Sequence, residues 1–399
     1  MLTLDRIYQA AHILKSVARK TDLILSSNIA LDCDLYLKAE NLQITGSFKV
    51  RGAYFKMAAL TDAEKATGVI ACSAGNHAQG VALAARHSGI EATVFIPSVA
   101  PLSKIEATKR MGAQVRLIDG VYDDAEKAAL AFQKESGGVF IHPFDDIDVI
   151  AGGGTIGLEI IDQVSDFDAV IAPVGGGGLI SGVAFALKML KPACKVYGVQ
   201  AAGAGSMHDS FRDKKRGSLA SVSTFADGIA VKSPGINTYE YCTRYVDEIV
   251  TVSDDEIATA ILTLMEQQKL VAEGAGAVSV AAAMFDKLPI KGKKVCAVVS
   301  GGNIDVNILS RVINRGLLTT GRLSELKIEM LDKPGQLKEV SSIIAGFGAN
   351  VTKVLHNPGG ENTDINGCFL HISMETKNKT HFLDIKKAIR NAGYTFAED

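Results

Sequence analysis

The sequence is short of net charge. Its 42 Lys and Arg stand against 44 Asp and Glu, leaving −2. The densest basic run, Arg212-Asp213-Lys214-Lys215-Arg216, has no interleaved aromatic residue and reads as a solvated loop. Neither feature makes an electrostatic case for nucleic acid or an anionic membrane as a partner. Paired cysteines are also missing. Cys33, Cys72, Cys194, Cys242, Cys296 and Cys368 are scattered, with no C-x-x-C spacing. That argues against a structural zinc site or a disulfide framework and suits a reducing cytosol. No metal site is expected. The start, Met-Leu-Thr-Leu-Asp-Arg-Ile, has an early acid and no basic stretch, so it does not read as a signal peptide. The uncharged stretch from Ala169 to Leu187 approaches transmembrane length, but Pro173 and four glycines interrupt it near its start. It reads as a buried strand, a turn and a helix start. What remains is a cytoplasmic chain with ample core material: 47% apolar and 22% charged residues over 399, enough for two or three domains.

The chain is organised around Thr45-Gly46-Ser47-Phe48-Lys49-Val50-Arg51-Gly52. Taken alone, this reads as a helix start, with Ser47 as the N-cap and Lys49 and Arg51 solvated. A second reading is chemical. A lysine between Phe48 and Val50 is partly desolvated, which lowers its pKa toward neutrality. A neutral amine at a fixed place can attack a carbonyl. The rest of the chain decides between the two.

Residues 3–18 have helical periodicity, with Leu4, Ile7, Tyr8, Ala11, Leu14 and Ala18 on one face. From Val69 onward a unit repeats: an apolar run, small residues, then a helix. Runs at 69–72, 92–96, 115–118 and 139–142 begin the series, and those at 169–174, 196–199, 249–252 and 295–299 continue it. Ser253-Asp254-Asp255-Glu256 is a capping-box signal. Continuous apolar strands alternating with helices imply mostly parallel sheets covered on both faces, a doubly wound α/β architecture. Residues 316–324 read as a linker. Beyond them the order becomes βαββαβ, a separate α+β domain over 325–399.

Ligands in such folds bind at the carboxyl ends of strands. Three unusual turns lie there: Ser73-Ala74-Gly75-Asn76-His77, Gly175-Gly176-Gly177-Gly178-Leu179 and Ser300-Gly301-Gly302-Asn303. The four glycines before a helix make an anion cradle. No lysine follows in Walker A spacing, which disfavours a nucleoside triphosphate. The first turn suits a carboxylate through Ser73, Asn76, His77 and helix-start N–H groups, although His77 alone would be a satisfied structural histidine. Ser300 is either an N-cap or a pocket hydroxyl. Gly152-Gly153-Gly154-Thr155-Ile156-Gly157 fits G-x-G-x-x-G, but the next strand ends in Pro173-Val174-Gly175 without the acid a dinucleotide site needs. A phosphate cradle plus a lysine of lowered pKa point to pyridoxal 5′-phosphate as one economical explanation.

Together, Ser47–Gly52, Ser73-Ala74-Gly75-Asn76-His77-Ala78-Gln79-Gly80, Gly175–Leu179 and Ser300–Asn303 resemble the threonine dehydratases (threonine ammonia-lyases) of the fold-type-II pyridoxal phosphate enzymes. The resemblance covers residues 1–320. It implies a tryptophan synthase β-like catalytic domain with a small subdomain over about 49–145. Asp332-Lys333-Pro334-Gly335-Gln336-Leu337 resembles the first loop of an ACT regulatory domain, here 325–399. By this resemblance Lys49 carries the cofactor as a Schiff base, with Phe48 beside the ring. Asn76 bonds the phenolic oxygen, Gly175, Gly176, Gly177, Gly178 and Leu179 hold the phosphate, and Ser300 faces the ring nitrogen. Ser73, Gly75, Asn76 and His77 take the substrate carboxylate, and Glu273 lies on the ring side. The implied reaction is deamination of L-threonine to 2-oxobutanoate and ammonia, with serine also used. Control by an amino acid or nucleotide and a homodimeric or homotetrameric state are implied as well.

Two departures separate the chain from the related serine racemases. Their second base, a serine in the substrate loop, is Ala74 here. The two carboxylates that bind a divalent cation in them are absent from Gln200-Ala201-Ala202-Gly203-Ala204-Gly205-Ser206. Gly153 also stands where many relatives have glutamine. Serine or hydroxyaspartate dehydration or racemisation is the rival within the fold. A non-catalytic amino-acid sensor is the rival outside it, and intact Lys49 speaks against it.

Overall fold

The computed structural model describes every residue except 27, 31, 165, 359–364 and 398–399. It divides into two compact units, Met1–Ile308 and Leu309–Asp399. In the first, the strands in chain order are β1 (Leu23–Leu25), β2 (Asp34–Lys38), β3 (Val69–Cys72), β4 (Ala92–Pro97), β5 (Gln114–Ile118), β6 (Val139–Phe140), β7 (Ala169–Pro173), β8 (Lys195–Ala201), β9 (Glu248–Val252) and β10 (Lys294–Val298).

They form two sheets. The larger runs β1-β2-β10-β7-β8-β9, and the smaller, inserted between β2 and β7, runs β5-β4-β3-β6. All pairings are parallel except the β1–β2 edge. Every residue of β3 and β7 is buried, as strands covered on both faces must be. Each sheet has one point where chain order reverses. In the larger it lies between β7 and β10, and in the smaller between β3 and β6. Turns leaving neighbouring strands there diverge and leave a crevice. The glycine loop follows β7, Ser300 follows β10, and Ser73 follows β3.

The capping box at Ser253 forms as expected, with Ser253 and Glu256 bonded reciprocally. The G-x-G-x-x-G sequence is no turn. It lies within helix Ile147–Gln163, where small residues let neighbouring helices touch backbone to backbone. A Cβ on Gly152 would come 2.5 Å from the Arg51 carbonyl, and one on Gly182 would come 2.2 Å from the Ile150 carbonyl. Three expectations are corrected. The first helix is Leu4–Leu14, and Tyr8 is half exposed, because Ala10 rather than Tyr8 completes the buried stripe. The run at 139–142 is strand only at Val139–Phe140. The linker expected at 316–324 is shorter: helix Val306–Thr320 takes its first five residues and β11 begins at Leu323.

The second unit contains β11 (Leu323–Leu331), β12 (Asn350–Pro358), β13 (Gly367–Glu375) and β14 (Thr395–Phe396), with helices Gln336–Gly346 and Lys379–Asn391. Its sheet is antiparallel, in order β12-β13-β11-β14. Alternate residues of β11 and β13 are buried, so one sheet face packs on the helices. This is the βαββαβ order expected. Among the described residues no helix is long and apolar enough to cross a membrane.

Candidate active site

The lysine segment is laid across the turn after β10. Ser47 bridges Gly301, Phe48 N–H donates to the Ser300 carbonyl at 3.1 Å, and Gly302 N–H donates to the Gly46 carbonyl at 2.8 Å. Helix Lys49–Ala58 starts here. Its N-cap is Phe48, without a side-chain cap, so Ser47 does not play the capping role. Ser47 Oγ is instead buried without a partner among the described residues. Lys49 is half-buried, and its Nζ donates to the Pro143 carbonyl at 2.7 Å. Burial pushes its pKa down to about 8, against the pull of Glu273. An appreciable fraction of the amine is therefore neutral near physiological pH.

Arg51 is not solvated. It is 1% exposed, bidentate on Glu40 at 2.8 Å for both bonds, and also bonded to Glu159 at 2.6 Å. Lys38 joins Glu159 at 2.6 Å, so two cations face two carboxylates. This balanced cluster pins the first turn of the lysine-bearing helix.

Loop 73–77 opens toward Glu273. Asn76 Nδ2 donates to Glu273 Oε1 at 2.6 Å, and Asn76 Oδ1 accepts from Asn303 Nδ2 at 2.8 Å. One amide hydrogen of Asn76 remains for a ligand. Burial and nearby Asp227 push the Glu273 carboxyl up to about 7. Ser73 Oγ accepts from Gly75 N–H at 3.1 Å, and a Cβ on Gly75 would meet open space. The His77 ring turns away: Nε2 lies 2.8 Å from the Ile141 carbonyl. Burial and the Lys49 charge push it down to about 3, so the neutral ring donates there. Its imidazole is the satisfied structural histidine, and only its main-chain N–H, in the first turn of helix Asn76–Ser88, can serve a carboxylate.

The glycine loop caps helix Gly178–Leu190, with Gly177 at φ +97°. Among the described residues no acceptor takes the N–H groups of Gly176, Gly177, Gly178 or Leu179. Free N–H groups at a helix start make a ready place for an anion. Ser300 Oγ donates to the Ala275 carbonyl at 3.3 Å, a long bond that a better acceptor can replace.

The segment after β6 was not singled out in the sequence. His142 Nδ1 accepts from Phe144 N–H at 3.2 Å and Asp145 N–H at 2.8 Å, which turns the chain so that Pro143 meets Lys49. Phe144 lies so close that a Cβ on Gly176 would come 2.4 Å from its ring. Its position, at the strand end beside the small sheet's reversal, was the available signal.

Residues 14–301 match the model of a family described as pyridoxal-phosphate dependent enzyme. The chain belongs to this family. A Thermotoga maritima protein called L-threonine ammonia-lyase is 50% identical over 396 residues, covering 99% of this chain and 98% of that one. The solved structure of processed threonine deaminase isoform 2 from Solanum lycopersicum has a TM-score of 0.74 and 39% identity, covering 79% of this chain and 89% of that one. Maize serine racemase has a TM-score of 0.75 and 34% identity, covering 79% and 98%. Pyridoxal phosphate is the cofactor of this family, and the residues present fit it. The unfilled N–H groups at Gly176–Leu179 suit a phosphate, and Lys49 suits an aldehyde. The chain is a pyridoxal-phosphate dependent enzyme with an amino acid as substrate.

Proposed function

We propose that this enzyme deaminates L-threonine to 2-oxobutanoate and ammonia, and L-serine to pyruvate more slowly. The observation that carries the reading is the 50% identity to a protein called L-threonine ammonia-lyase over 99% of the chain, the C-terminal unit included. When bound, pyridoxal phosphate supplies a conjugated system that acidifies an amino acid's α-proton and lets its β-hydroxyl depart.

The chain's residues then have separate tasks. Gly175, Gly176, Gly177, Gly178 and Leu179 hold the phosphate, Asn76 the phenolic oxygen, and Phe48 lies beside the ring. Ser300 offers the ring nitrogen a hydroxyl, which is too weak an acid to keep a proton there. First-turn N–H groups of Asn76 and His77, with Ser73 and Gly75, take the substrate carboxylate. Lys49 is both anchor and base: its amine, held by the Pro143 carbonyl, accepts the α-proton once substrate has replaced it.

The likeness to serine racemase supports a second reading. Ala74, between Ser73 and Gly75, has a methyl that can neither give nor take a proton, which favours elimination over racemisation. Purified enzyme supplied with L-threonine or L-serine should release keto acid, with D-serine a minor product at most. No keto acid, or D-serine in excess of pyruvate, would overturn the proposal. Lys49→Ala should lose both turnover and the bound cofactor's absorption.

The C-terminal unit is read as an ACT domain that binds an amino acid or nucleotide and joins copies of the chain into a dimer or tetramer, in a cytoplasmic enzyme. Titrating isoleucine, valine and nucleoside monophosphates into the assay, with the mass measured by light scattering, tests this.

A further inference from the structure

We propose that the C-terminal unit holds a divalent-metal site of the zinc class, built from Asp332, His356 and Cys368. Asp332 follows β11, His356 lies on β12 and Cys368 on β13. In the ladder Cys368 stands opposite Met330 on one side and Pro358 on the other. Asp332 and His356 are each two residues from those partners, so the pleat turns all three toward one face. Pairing continues past β11, since Asp332 N–H donates to the Asn366 carbonyl at 2.7 Å. A carboxylate oxygen, an imidazole nitrogen and a thiol sulfur then lie within 4.8 Å of one another. The three residues are far apart in sequence, so a spacing rule built on C-x-x-C pairs passes over them.

The spacing of the two rim atoms is one that ligands of a single ion can share. Asp332 Oδ1 and His356 Nε2 are 3.4 Å apart. A charge-assisted hydrogen bond would close to about 2.7–2.9 Å. Two ligands at about 2.1 Å from a tetrahedral zinc lie about 3.4 Å apart. Cys368 is 1% exposed and forms the floor, while Asp332 and His356 are exposed at the rim. Mixed sulfur, nitrogen and oxygen donors suit zinc or cobalt(II) over magnesium or calcium. Three protein ligands leave a fourth position toward solvent for water. Coordination sends the thiol proton to solvent. A bound ion would tie the Asp332-Lys333-Pro334-Gly335 turn, which caps helix Gln336–Gly346, to the edge strand β12.

The test uses full-length holoenzyme, treated with chelator, desalted, and titrated with cobalt(II). The expected result is one cobalt(II) per chain, with the visible absorption of a four-coordinate, thiolate-bound ion, displaced by zinc. His356→Ala and Asp332→Asn alter exposed side chains and leave the fold and keto-acid production intact. Each should weaken uptake by more than the about 10–100-fold that losing an outer-shell partner costs. Absence of stoichiometric uptake, or uptake unchanged in both variants, would overturn the site.

Discussion

Replacing Arg51 by methionine probes the ion cluster beneath Lys49. Arg51 is 1% exposed and Glu40 is fully buried. In the natural protein Arg51 and Lys38 balance Glu40 and Glu159. Methionine leaves one negative charge in excess, and breaking a buried pair this way costs about 3–5 kcal/mol. The stranded Glu40 can escape by taking a proton. Holding a carboxyl of ordinary pKa neutral near pH 7 costs about 3.7 kcal/mol, and near pH 5 about 1 kcal/mol. In the natural protein burial opposes ionisation of Glu40, but Arg51 outweighs it and keeps the carboxyl below its usual range. That stability is present above the unfolded pKa and lost as pH falls through the folded one. In Arg51→Met the sign reverses. The folded carboxyl sits above its unfolded value, so the variant loses stability as pH rises. The gap between the two proteins, from urea unfolding, should be about 3–4 kcal/mol near pH 7 and about 1 kcal/mol near pH 5. Adding Glu40→Gln should recover most of the loss near neutrality. A gap below about 1 kcal/mol near pH 7, or one independent of pH, would refute the reasoning.

Cofactor capture by the apoenzyme needs the neutral Lys49 amine, so its rate should rise with pH through about 8 rather than 10.5; stopped-flow absorbance that climbs only above 10 would contradict this. Gly177→Ala forces a side chain to φ +97° and to 2.6 Å from Met207 Cε, which should cost about 1–3 kcal/mol and release cofactor on dialysis; full retention with unchanged thermal stability would rule out the cradle. Lys104, on helix Leu102–Arg110, pairs with Asp227 across the two lobes of the first unit. Asp227 is largely exposed, so Lys104→Ala should raise KM about 1.4–5-fold at low salt, an effect that high salt removes; a change insensitive to salt would point elsewhere.

The alternation of apolar runs with helices is enough to read parallel sheets, and the sequence also marks the turns that the fold places after β3, β7 and β10. What stayed hidden depended on distance along the chain. Arg51 reads as solvated because neither carboxylate that neutralises it is a neighbour on its own helix: Glu40 lies 11 residues back, before the lysine segment, and Glu159 is 108 residues away. The run at 139–142 is visible in the sequence, but the part His142–Asp145 plays is not, because it rests on contacts of the fold: Pro143 meets Lys49 and Phe144 closes on Gly176. His77 lies in the first turn of the helix after β3, and its ring points at the Ile141 carbonyl, a contact set by the chain just beyond β6 rather than by local sequence. The two-sheet arrangement, with one inserted between β2 and β7, also lay beyond periodicity, since strand order leaves no local trace.

The glycine seam along helix Ile147–Gln163 has a consequence for the reach of the pocket. This helix meets the lysine-bearing helix where Gly152 faces Gly52, and the helix after the glycine loop where Gly154 faces Gly182. Amine and cradle are thus both mounted on one rail, at backbone contact, with no side chain between to act as a shim. Their separation is a gauge length that substitutions lining the pocket cannot reset. An added methyl at Gly152 or Gly182 would jack the mounts apart, so the tolerance for cofactors of another length is decided at a seam that touches no substrate.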